Sequence, residues 1–275
     1  MPRWGEYSLL DIKAPEVELW LGSVKRANST RAKIWKVMSL LFNHARRHEL
    51  YHEEKNPIEQ VRQSAKRLRA PDVLTIEEVQ RLLAALPPRE RTMVLLDVGT
   101  GLRQSELFGL KWQDIDFEIG TLRVTRSVVK QMVGNCKTEA SQKAIPLQGA
   151  LTAALEDWRR QTPYKEPHHW AFASPHGGGK MPYWGQPLMR SNIRPITKKL
   201  GISKRIGWHT FRHTYSTLLC SVGADPKVMQ ELLRHSTVRV TLETYTQAVT
   251  AAKRAAQSTV VSLIAGNCEE KPSGT

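Results

Sequence analysis

Six side chains between residues 100 and 250 carry either a permanent positive charge or a group that can accept or donate a proton. They are Arg103, Lys137, His209, Arg212, His235 and Tyr245. An arginine fork binds two phosphate oxygens at once and keeps its charge at physiological pH. Transfer at phosphorus depends mainly on positioning and on neutralising the equatorial oxygens. A tyrosine phenol can be the covalent nucleophile if cations stabilise its phenolate. The set therefore fits metal-free phosphoryl transfer.

Each of these side chains also has an ordinary structural interpretation when it is taken alone. Arg103 follows a glycine turn and could be a surface arginine, and Lys137 could be a solvated turn lysine. His235 could cap a helix end, and Tyr245 could be a packing residue of an amphipathic helix. The chemical interpretation therefore rests on the members of the set together.

The sequence does not favour metal or nucleotide chemistry. His209 and His213 have the spacing of a zinc pair, but the glutamate of H-E-x-x-H is absent and the cation Arg212 lies between them. There are no paired carboxylates for a two-metal site. The string Gly177–Lys180 lacks the spacing of a phosphate-binding glycine loop. We expect no cofactor and no metal.

The charge of the 275-residue chain points to a polyanionic partner. Lys and Arg total 41 against 26 Asp and Glu, which gives a formal net charge of +15. Nucleic acid is the commonest polyanion for such a surplus. The sequence shows no signal peptide and no run of about 20 apolar residues. We therefore expect a cytoplasmic protein.

The elements that must position these groups divide into two parts. Residues 1–70 predict a helical domain, with one helix from Pro15 to Leu21 and a second helix capped by Ser29 or Thr30. The predicted buried face of the second helix consists of Ile34, Val37, Met38, Leu41 and Phe42. The stretch ends at Asn56-Pro57, and residues 58–74 form a basic linker.

Residues 71–275 predict a mainly helical domain with a small β-hairpin or sheet. Thr75 and Glu78 fit a capping box, and residues 91–98 are apolar enough for a buried helix. A glycine break at 99–101 and a further helix from 104 to 110 follow.

Strands are predicted over 121–133 and 143–147, with a polar turn from Gly134 to Gln142 between them. From Gly149 to about Ile264 the sequence predicts mostly helix, apart from a loop over Pro163–Gln186.

In chain order, the motifs resemble those of the tyrosine recombinases, and in particular those of the phage integrase branch. They are Thr-Gly-Leu-Arg-x-Ser-Glu-Leu from Thr100, Lys-Thr at 137–138 with Ile-Pro-Leu at 145–147, His-x-x-Arg-His from His209, Leu-x-His-Ser from Leu233, and Thr-x-x-x-Tyr-Thr from Thr241. The resemblance covers nearly all of residues 72–250. It implies a helical core-binding domain over 1–70 and a mixed α+β catalytic domain over 71–275.

The resemblance implies a site-specific DNA recombinase, an integrase of a mobile genetic element. Such an enzyme cleaves and rejoins strands through a covalent 3′-phosphotyrosine, without metal or ATP. Arg103 and Arg212 would clamp the scissile phosphate. His209 and His235 would add hydrogen bonds and proton transfer.

The remaining roles also follow from the resemblance. Lys137 would protonate the leaving 5′-oxygen, and Tyr245 would be the nucleophile. Glu106 and His213 would orient the arginines and the helix that carries them.

The partner implied is a double-stranded DNA attachment site, held between two domains in a nucleoid-associated complex. The cations expected to contact DNA are Arg62, Lys66, Arg67, Arg69, Lys33, Lys36, Arg46 and Arg47. The resemblance also implies a homotetramer that exchanges a C-terminal helix, here over Ala248–Ala265. An excisionase or a host DNA-bending protein would be an accessory partner.

Arg234, Phe211 in place of a leucine, and the length of residues 1–70 depart from the usual pattern of the family. Arg234 stands where glycine usually precedes the second histidine. Arginine adopts the left-handed conformation of glycine only at a cost, or else the helix ends differently, and the geometry of His235 depends on the outcome. Residues 1–70 are short for a core-binding domain, so we expect an N-terminal truncation. The tail from about 267 is expected to be disordered.

Two alternative functions remain open at this point. The chain could be a truncated DNA-binding remnant that is defective in recombination. It could also be a topoisomerase IB-like enzyme, which uses the same chemistry to relax supercoiled DNA without a defined site.

Overall fold

A computed structural model of the chain describes residues 3–64, 71–135, 143–235 and 237. The chain divides into two units, Met1–Ala70 and Pro71–Thr275, and each has its own hydrophobic core. Helices dominate and the strands form two small sheets, which confirms the predicted fold class. Within these ranges, no helix is both long and apolar enough to cross a membrane.

The first unit is built on two helices and closed by a short 3₁₀ turn. Its elements are α1 (Ala14–Ser23), α2 (Asn28–Arg47) and the turn Pro57–Gln60. Pro15 lies in the first turn of α1, where its missing N–H leaves no hydrogen bond unmade. The oxygen of the Asn56 side chain accepts from the Ile58 N–H at 2.9 Å, and its amide donates to the Ser39 carbonyl at 3.0 Å. Asn56 therefore ties the break after α2 back to the helix.

The buried face of α2 differs from the predicted one. Val37 and Leu41 were expected in the core, but they are 57% and 60% exposed, whereas Phe42 is buried. The indole N–H of Trp35 donates to the Ile58 carbonyl at 2.7 Å. The face of α2 that meets the core therefore carries Trp35 and Phe42 rather than Val37 and Leu41. The predicted stripe was too wide for all its members to face one core.

The start of α2 also differs from the prediction. The helix begins at Asn28 after Ala27, and no side chain caps it. Ser29 and Thr30 lie inside the first turn, two and three residues after the N-cap position. The Asn28 side chain accepts a hydrogen bond from Arg31 within that turn.

Three helices lead to the glycine turn of the second unit. They are α3 (Ile76–Ala85), α4 (Pro88–Thr100) and α5 (Gln104–Leu107). The capping box is confirmed, since Thr75 accepts from the Glu78 N–H at 3.2 Å and Glu78 accepts from the Thr75 N–H at 2.8 Å. Gly101, with φ +61, ends the buried helix α4. Helix α5 is a single turn that stops before Leu110, the predicted end.

Within the part of the second unit that the structure describes, five short strands follow, and their pairings are antiparallel. They are β1 (Ile115–Asp116), β2 (Thr121–Leu122), β3 (Arg126–Val129), β4 (Met132–Asn135) and β5 (Ile145–Pro146). Strands β1, β2 and β5 form one sheet in that order, and β3 pairs with β4. The predicted partner over 143–147 therefore pairs with β2 alone.

The hairpin turn lies earlier than predicted. It falls at Lys130 and Gln131, which have positive φ values of 50 and 66, as a two-residue hairpin turn requires. Gly134 and Asn135, predicted to lie in the turn, continue β4. A Lys-Gln pair lacks the glycine or asparagine that usually marks such a turn. Residues 136–142 lie outside the described ranges.

The described residues after β5 form mainly helices, and two of these helices pack on α4. Its elements are α6 (Gly149–Gln161), α7 (Gly185–Leu188), a π turn (Met189–Ile193), α8 (Arg194–Lys199), α9 (Trp208–Ser221) and α10 (Pro226–Leu232). Indole N–H groups tether the long loop after α6, since Trp158 donates to Ala171 at 2.8 Å and Trp170 donates to Lys180 at 3.0 Å. Helix α4 packs against α9, which brings the glycine turn to the His-x-x-Arg-His motif.

Gly101→Ala should destabilise the protein more than Gly223→Ala. Both glycines have positive φ, so alanine at either position costs about 1 kcal/mol. A Cβ at position 101 also lies 2.6 Å from Cδ1 of Tyr215, whereas a Cβ at position 223 meets nothing within 4 Å. We expect urea unfolding to show a loss of about 3 kcal/mol for Gly101→Ala and about 1 kcal/mol for Gly223→Ala. Equal losses would show that Tyr215 does not restrict this turn.

Candidate active site

Four of the six predicted reacting groups lie together in the second unit. The turn between α4 and α5 supplies Arg103, α9 supplies His209 and Arg212, and the turn after α10 supplies His235. Hydrogen bonds and electrostatic contacts link the three segments. The other two groups, Lys137 and Tyr245, lie outside the described residues.

Arg103 begins α5 and contacts the helix through Glu106. Its backbone N–H donates to Oε2 of Glu106 at 2.9 Å, and its Nη1 donates to Oε1 at 2.6 Å. Its Nη2 donates to the backbone carbonyl of Arg234 at 3.0 Å. The side chain stays 34% exposed, so a fixed guanidinium faces solvent at the site.

Arg212 is buried between two backbone carbonyls. Its Nη1 donates to the carbonyl of Gly101 and its Nη2 to that of Leu233. Burial, with the charges of Arg103 and Arg234, lowers the pKa of Arg212 to about 10, so it stays cationic at neutral pH. These two bonds use two of the five N–H donors of a guanidinium, which leaves three for further acceptors.

The turn after α10 ends the helix in the way that glycine usually does. The His235 N–H donates to the Gln230 carbonyl and the Arg234 N–H to the Glu231 carbonyl, both at 3.0 Å. These two bonds form a Schellman motif, which needs a left-handed residue, and Arg234 supplies it with φ +51. The helix end is therefore not altered by the arginine.

The same turn binds both Arg103 and Arg212. The last carbonyls of a helix have no partner within the helix and carry its negative end. Arg212 and Arg103 donate to two successive carbonyls there, those of Leu233 and Arg234. The end of α10 therefore supplies acceptors that hold the two guanidinium groups side by side.

Glu106 is a buried carboxylate shared by two arginines. Its Oε2 accepts from Nη2 of Arg234 at 2.6 Å, while Arg103 binds both of its oxygens. Burial alone raises the pKa of Glu106, but the charges of Arg234 and Arg103 and the N–H of Arg103 outweigh it and hold the pKa below its ordinary value. Glu106 therefore stays ionised.

Asp97 is a second carboxyl group of the site, and it is fully buried on α4. Within the described residues, neither of its oxygens has a hydrogen-bond partner. Burial raises the pKa of Asp97 well above its ordinary value, although the charges of Arg212 and Arg234 oppose this. Burial therefore disfavours the ionised form of Asp97, and Glu106 is the carboxylate that Arg103 and Arg234 contact through hydrogen bonds.

The two histidines of the site are held in their neutral form. Burial, Arg212 and Arg103 lower the pKa of His209. Burial, Arg212, Arg103 and Arg234 lower the pKa of His235 to about 4. Near pH 7 both imidazoles are therefore uncharged. His213, half-buried on α9, contributes to the lowered pKa of His235 and thus lies close to it.

A cleft of about 370 Å³ opens beside Arg103 and His209. Lys130 and Gln131 at the tip of the β3–β4 hairpin and Trp184 before α7 also line it. A phosphate of an extended chain can approach the exposed face of Arg103 through this cleft.

The predicted DNA contacts are only partly described. Lys33, Lys36, Arg46 and Arg47 are exposed on α2 of the first unit, and Arg62 is exposed after the turn that closes it. Lys66, Arg67 and Arg69 lie outside the described residues.

Two members of the site were not assigned to it from the sequence. Arg234 was noted as a departure from a glycine, and its side chain was given no role. Asp97 interrupts an otherwise apolar stretch at 91–98. A charged residue in a position that demands glycine, and a carboxyl group inside a buried helix, are the signals that could have revealed them.

Residues 72–251 match the model of the phage integrase family. A XerC-like tyrosine recombinase of Caldanaerobacter subterraneus subsp. tengcongensis is 34% identical over 209 residues, which is 68% of this chain and 53% of that protein. The prophage integrase IntR of Escherichia coli K12 is 27% identical over 208 residues, which is 69% of this chain and 50% of that protein. The chain thus spans about half the length of these curated relatives.

Solved structures share the fold. The integrase of transposon Tn1549 in complex with transposon right-end DNA has a TM-score of 0.75 at 21% identity, and the match covers 94% of this chain and 89% of that one. The XerH recombinase bound to a palindromic difH substrate has a TM-score of 0.71 at 20% identity, with 91% and 73% covered.

The lowered pKa of His235 should make the folded protein less stable as the pH falls. In the unfolded chain the imidazole has its ordinary pKa of 6.5, whereas in the folded chain its pKa is about 4. Protonation between these values therefore favours the unfolded state. We expect the urea concentration at the unfolding midpoint to decrease as the pH is lowered from 6.5 to 4. In His235→Asn, this decrease with pH should be smaller. The exposed His176→Asn is the control and should keep the wild-type slope. A wild-type slope in His235→Asn would contradict the neutral imidazole.

Proposed function

The chain belongs to the phage integrase family of tyrosine recombinases, and we propose that it is a site-specific DNA recombinase, an integrase that cleaves and rejoins strands through a 3′-phosphotyrosine. The observation that carries the proposal is the convergence of Arg103 and Arg212 on one helix end. Two fixed guanidinium groups beside neutral histidines match the needs of a phosphodiester that is about to gain charge.

The charge of the site suits a phosphodiester. Three buried or half-buried guanidinium groups face one ionised carboxylate, that of Glu106, which leaves an excess of positive charge in a shielded place. Arginine forks hold non-bridging oxygens in a defined orientation. Arg103 and Arg212 therefore bind the scissile phosphate and neutralise its transition state.

The chemical step transfers the phosphate to Tyr245. A bond forms between the phenol oxygen of Tyr245 and phosphorus while the bond to the 5′-oxygen breaks. A neutral histidine, His209 or His235, takes the phenol proton, and Lys137 gives a proton to the departing 5′-oxygen. Attack of a 5′-hydroxyl on the phosphotyrosine reverses the step and rejoins a strand, so no ATP is needed.

The two units take the two roles of a DNA clamp. Met1–Ala70 is the core-binding domain and Pro71–Thr275 the catalytic domain, and residues 58–74 are the basic linker. The exposed cations of α2 and Arg62 support this assignment, because a row of such side chains binds a phosphate backbone without sequence preference. Affinity for DNA is then strongly salt-dependent.

The partners are double-stranded attachment sites in the nucleoid, bound by a homotetramer whose C-terminal helices, over Ala248–Ala265, are exchanged between subunits. An excisionase or a host DNA-bending protein assists. The Tn1549 integrase and XerH, which share the fold, are described in complex with DNA, and this supports the choice of partner.

The two alternatives differ from this proposal in what they do to DNA. A binding remnant forms no covalent adduct, and a relaxing topoisomerase acts on any supercoiled plasmid. Relatives named as recombinases and integrases favour strand exchange at defined sites. Fast relaxation of an arbitrary plasmid would favour the topoisomerase instead.

Tyr245→Phe should abolish the covalent adduct and keep DNA binding. The probes are duplexes that tile the DNA flanking the gene, each nicked so that a short strand leaves after cleavage and traps the adduct. We expect the wild type to give a detergent-resistant adduct on one of them. Tyr245→Phe should give none at unchanged affinity in a gel shift, because only the attacking oxygen is lost.

The control for this assay is Tyr7→Phe, which removes a hydroxyl group in the first unit. It should form the adduct at the wild-type rate. An adduct in Tyr245→Phe, or loss of DNA binding together with the chemistry, would rule out Tyr245 as the nucleophile. No adduct from the wild type on any duplex would count against the recombinase itself.

Lys137→Ala should slow cleavage by about 10²- to 10⁴-fold, because the 5′-oxygen then leaves without general-acid help. A duplex with sulfur in place of that bridging oxygen should be cleaved at nearly the wild-type rate, since a thiolate leaves without a proton. The rates are measured on the duplex that traps the adduct. Lys143→Ala, which alters an exposed lysine beyond the hairpin, is the control and should cleave both substrates normally. Equal slowing on both substrates would remove Lys137 from the general-acid role.

A further inference from the structure

We propose that Arg234 is a positioning residue for strand cleavage, which fixes the Arg103 guanidinium through a shared bond to Glu106 and through its own carbonyl. The inference deepens the proposed function and rests on it for its kinetic consequence. It assigns a use to a side chain that occupies the place of a glycine.

Arg234 reaches Arg103 by two routes. Its Nη2 donates to Oε2 of Glu106 at 2.6 Å, and Oε1 of the same carboxylate accepts from Nη1 of Arg103 at 2.6 Å. Its carbonyl accepts from Nη2 of Arg103 at 3.0 Å. Both terminal nitrogens of Arg103 are therefore held by groups that Arg234 touches or carries.

The turn itself does not need this side chain. A glycine at position 234 would adopt φ near +51 without a steric penalty and would form the same two backbone bonds. The arginine is nevertheless 2% exposed, and burying a guanidinium is costly unless it is paired. Its ion pair with Glu106 offsets that cost and at the same time fixes the carboxylate.

Without Arg234, the carboxylate of Glu106 would be held by Arg103 alone, through the backbone N–H and Nη1 of that residue. The Arg103 side chain is 34% exposed, so a carboxylate bound to Arg103 alone could shift together with it. The Arg234 side chain is 1% exposed, so its position is fixed by the residues around it. A second buried cation on Oε2 keeps the carboxylate in one orientation. The exposed face of Arg103 is then presented to phosphate in one orientation before DNA binds.

The kinetic test uses Arg234→Met, which keeps an unbranched apolar side chain as far as the position of Nε and removes the guanidinium charge and donors. On the duplex that traps the wild-type adduct, we expect cleavage to slow by about 10- to 100-fold, because small displacements of a catalytic group have effects of this size. The dissociation constant for the same duplex should change by less than about threefold, since most phosphate contacts lie elsewhere.

Conservative and matched variants separate positioning from folding. Arg234→Lys keeps a buried cation and should recover part of the rate. Arg126→Met removes a half-buried arginine that pairs with Asp114, so it should lower stability without slowing cleavage of the folded protein. Cleavage by Arg234→Met at the wild-type rate, or an equal slowing by Arg126→Met, would overturn the proposal.

A double-mutant cycle tests the route through Glu106. If Arg234 acts through that carboxylate, adding Arg234→Met to Glu106→Gln should slow cleavage by less than about threefold further. Independent effects would multiply, and that result would overturn the proposal.

The same cycle is run on urea unfolding, which needs no DNA. Non-additive shifts of the urea midpoint are expected for residues in contact, whatever the enzyme does. Additive shifts would overturn the proposal even if the chain proved inactive. A wild type without adduct on any duplex, together with coupled unfolding, would instead locate the failure in the proposed function.

Discussion

A buried carboxylate that binds two arginines holds the site of this fold together. Glu106 lies between the side chains of Arg103 and Arg234 and accepts bonds at 2.6 Å from each. Breaking such a buried pair by removing one partner typically costs about 3–5 kcal/mol, because the other charge is left unpaired. The geometry of the arginines is therefore tied to the stability of the unit, and the proposed phosphate site is formed by contacts within the protein itself.

The end of α10 and the glycine turn after α4 hold Arg103 and Arg212 in place. Carbonyls that a helix cannot use internally accept from Arg103 and Arg212, so the two cations face the same way. Burial and the charges of these arginines lower the pKa of His209 and of His235, so both imidazoles are neutral near pH 7. Under the proposed function, the same arrangement would bind a phosphodiester and leave the two imidazoles uncharged beside it.

Much of this could be predicted from the sequence, and the exceptions have physical causes. Local spacing predicted the capping box of Thr75 and the break at Gly101, because these depend on local chemistry. The two arginines and two histidines that lie together were proposed from the resemblance to the family, since each of their motifs is ambiguous alone. The hairpin turn at Lys130 was missed, since neither it nor Gln131 is a residue that favours positive φ. The exposed Val37 shows the limit of periodicity, because tertiary hydrogen bonds such as that of Trp35 choose among neighbouring faces. The role of Arg234 depends on contacts across 128 residues of chain, which no local pattern contains.

A crystal structure of Tyr245→Phe bound to the cleavage-site duplex tests the central claim most directly. We predict that Arg103 and Arg212 both donate to non-bridging oxygens of one and the same phosphate, at about 3 Å. Glu106 should then still bridge Arg103 and Arg234. Arginines on different phosphates, or a scissile phosphate bound away from both, would contradict the claim that this buried charge cluster is the catalytic clamp.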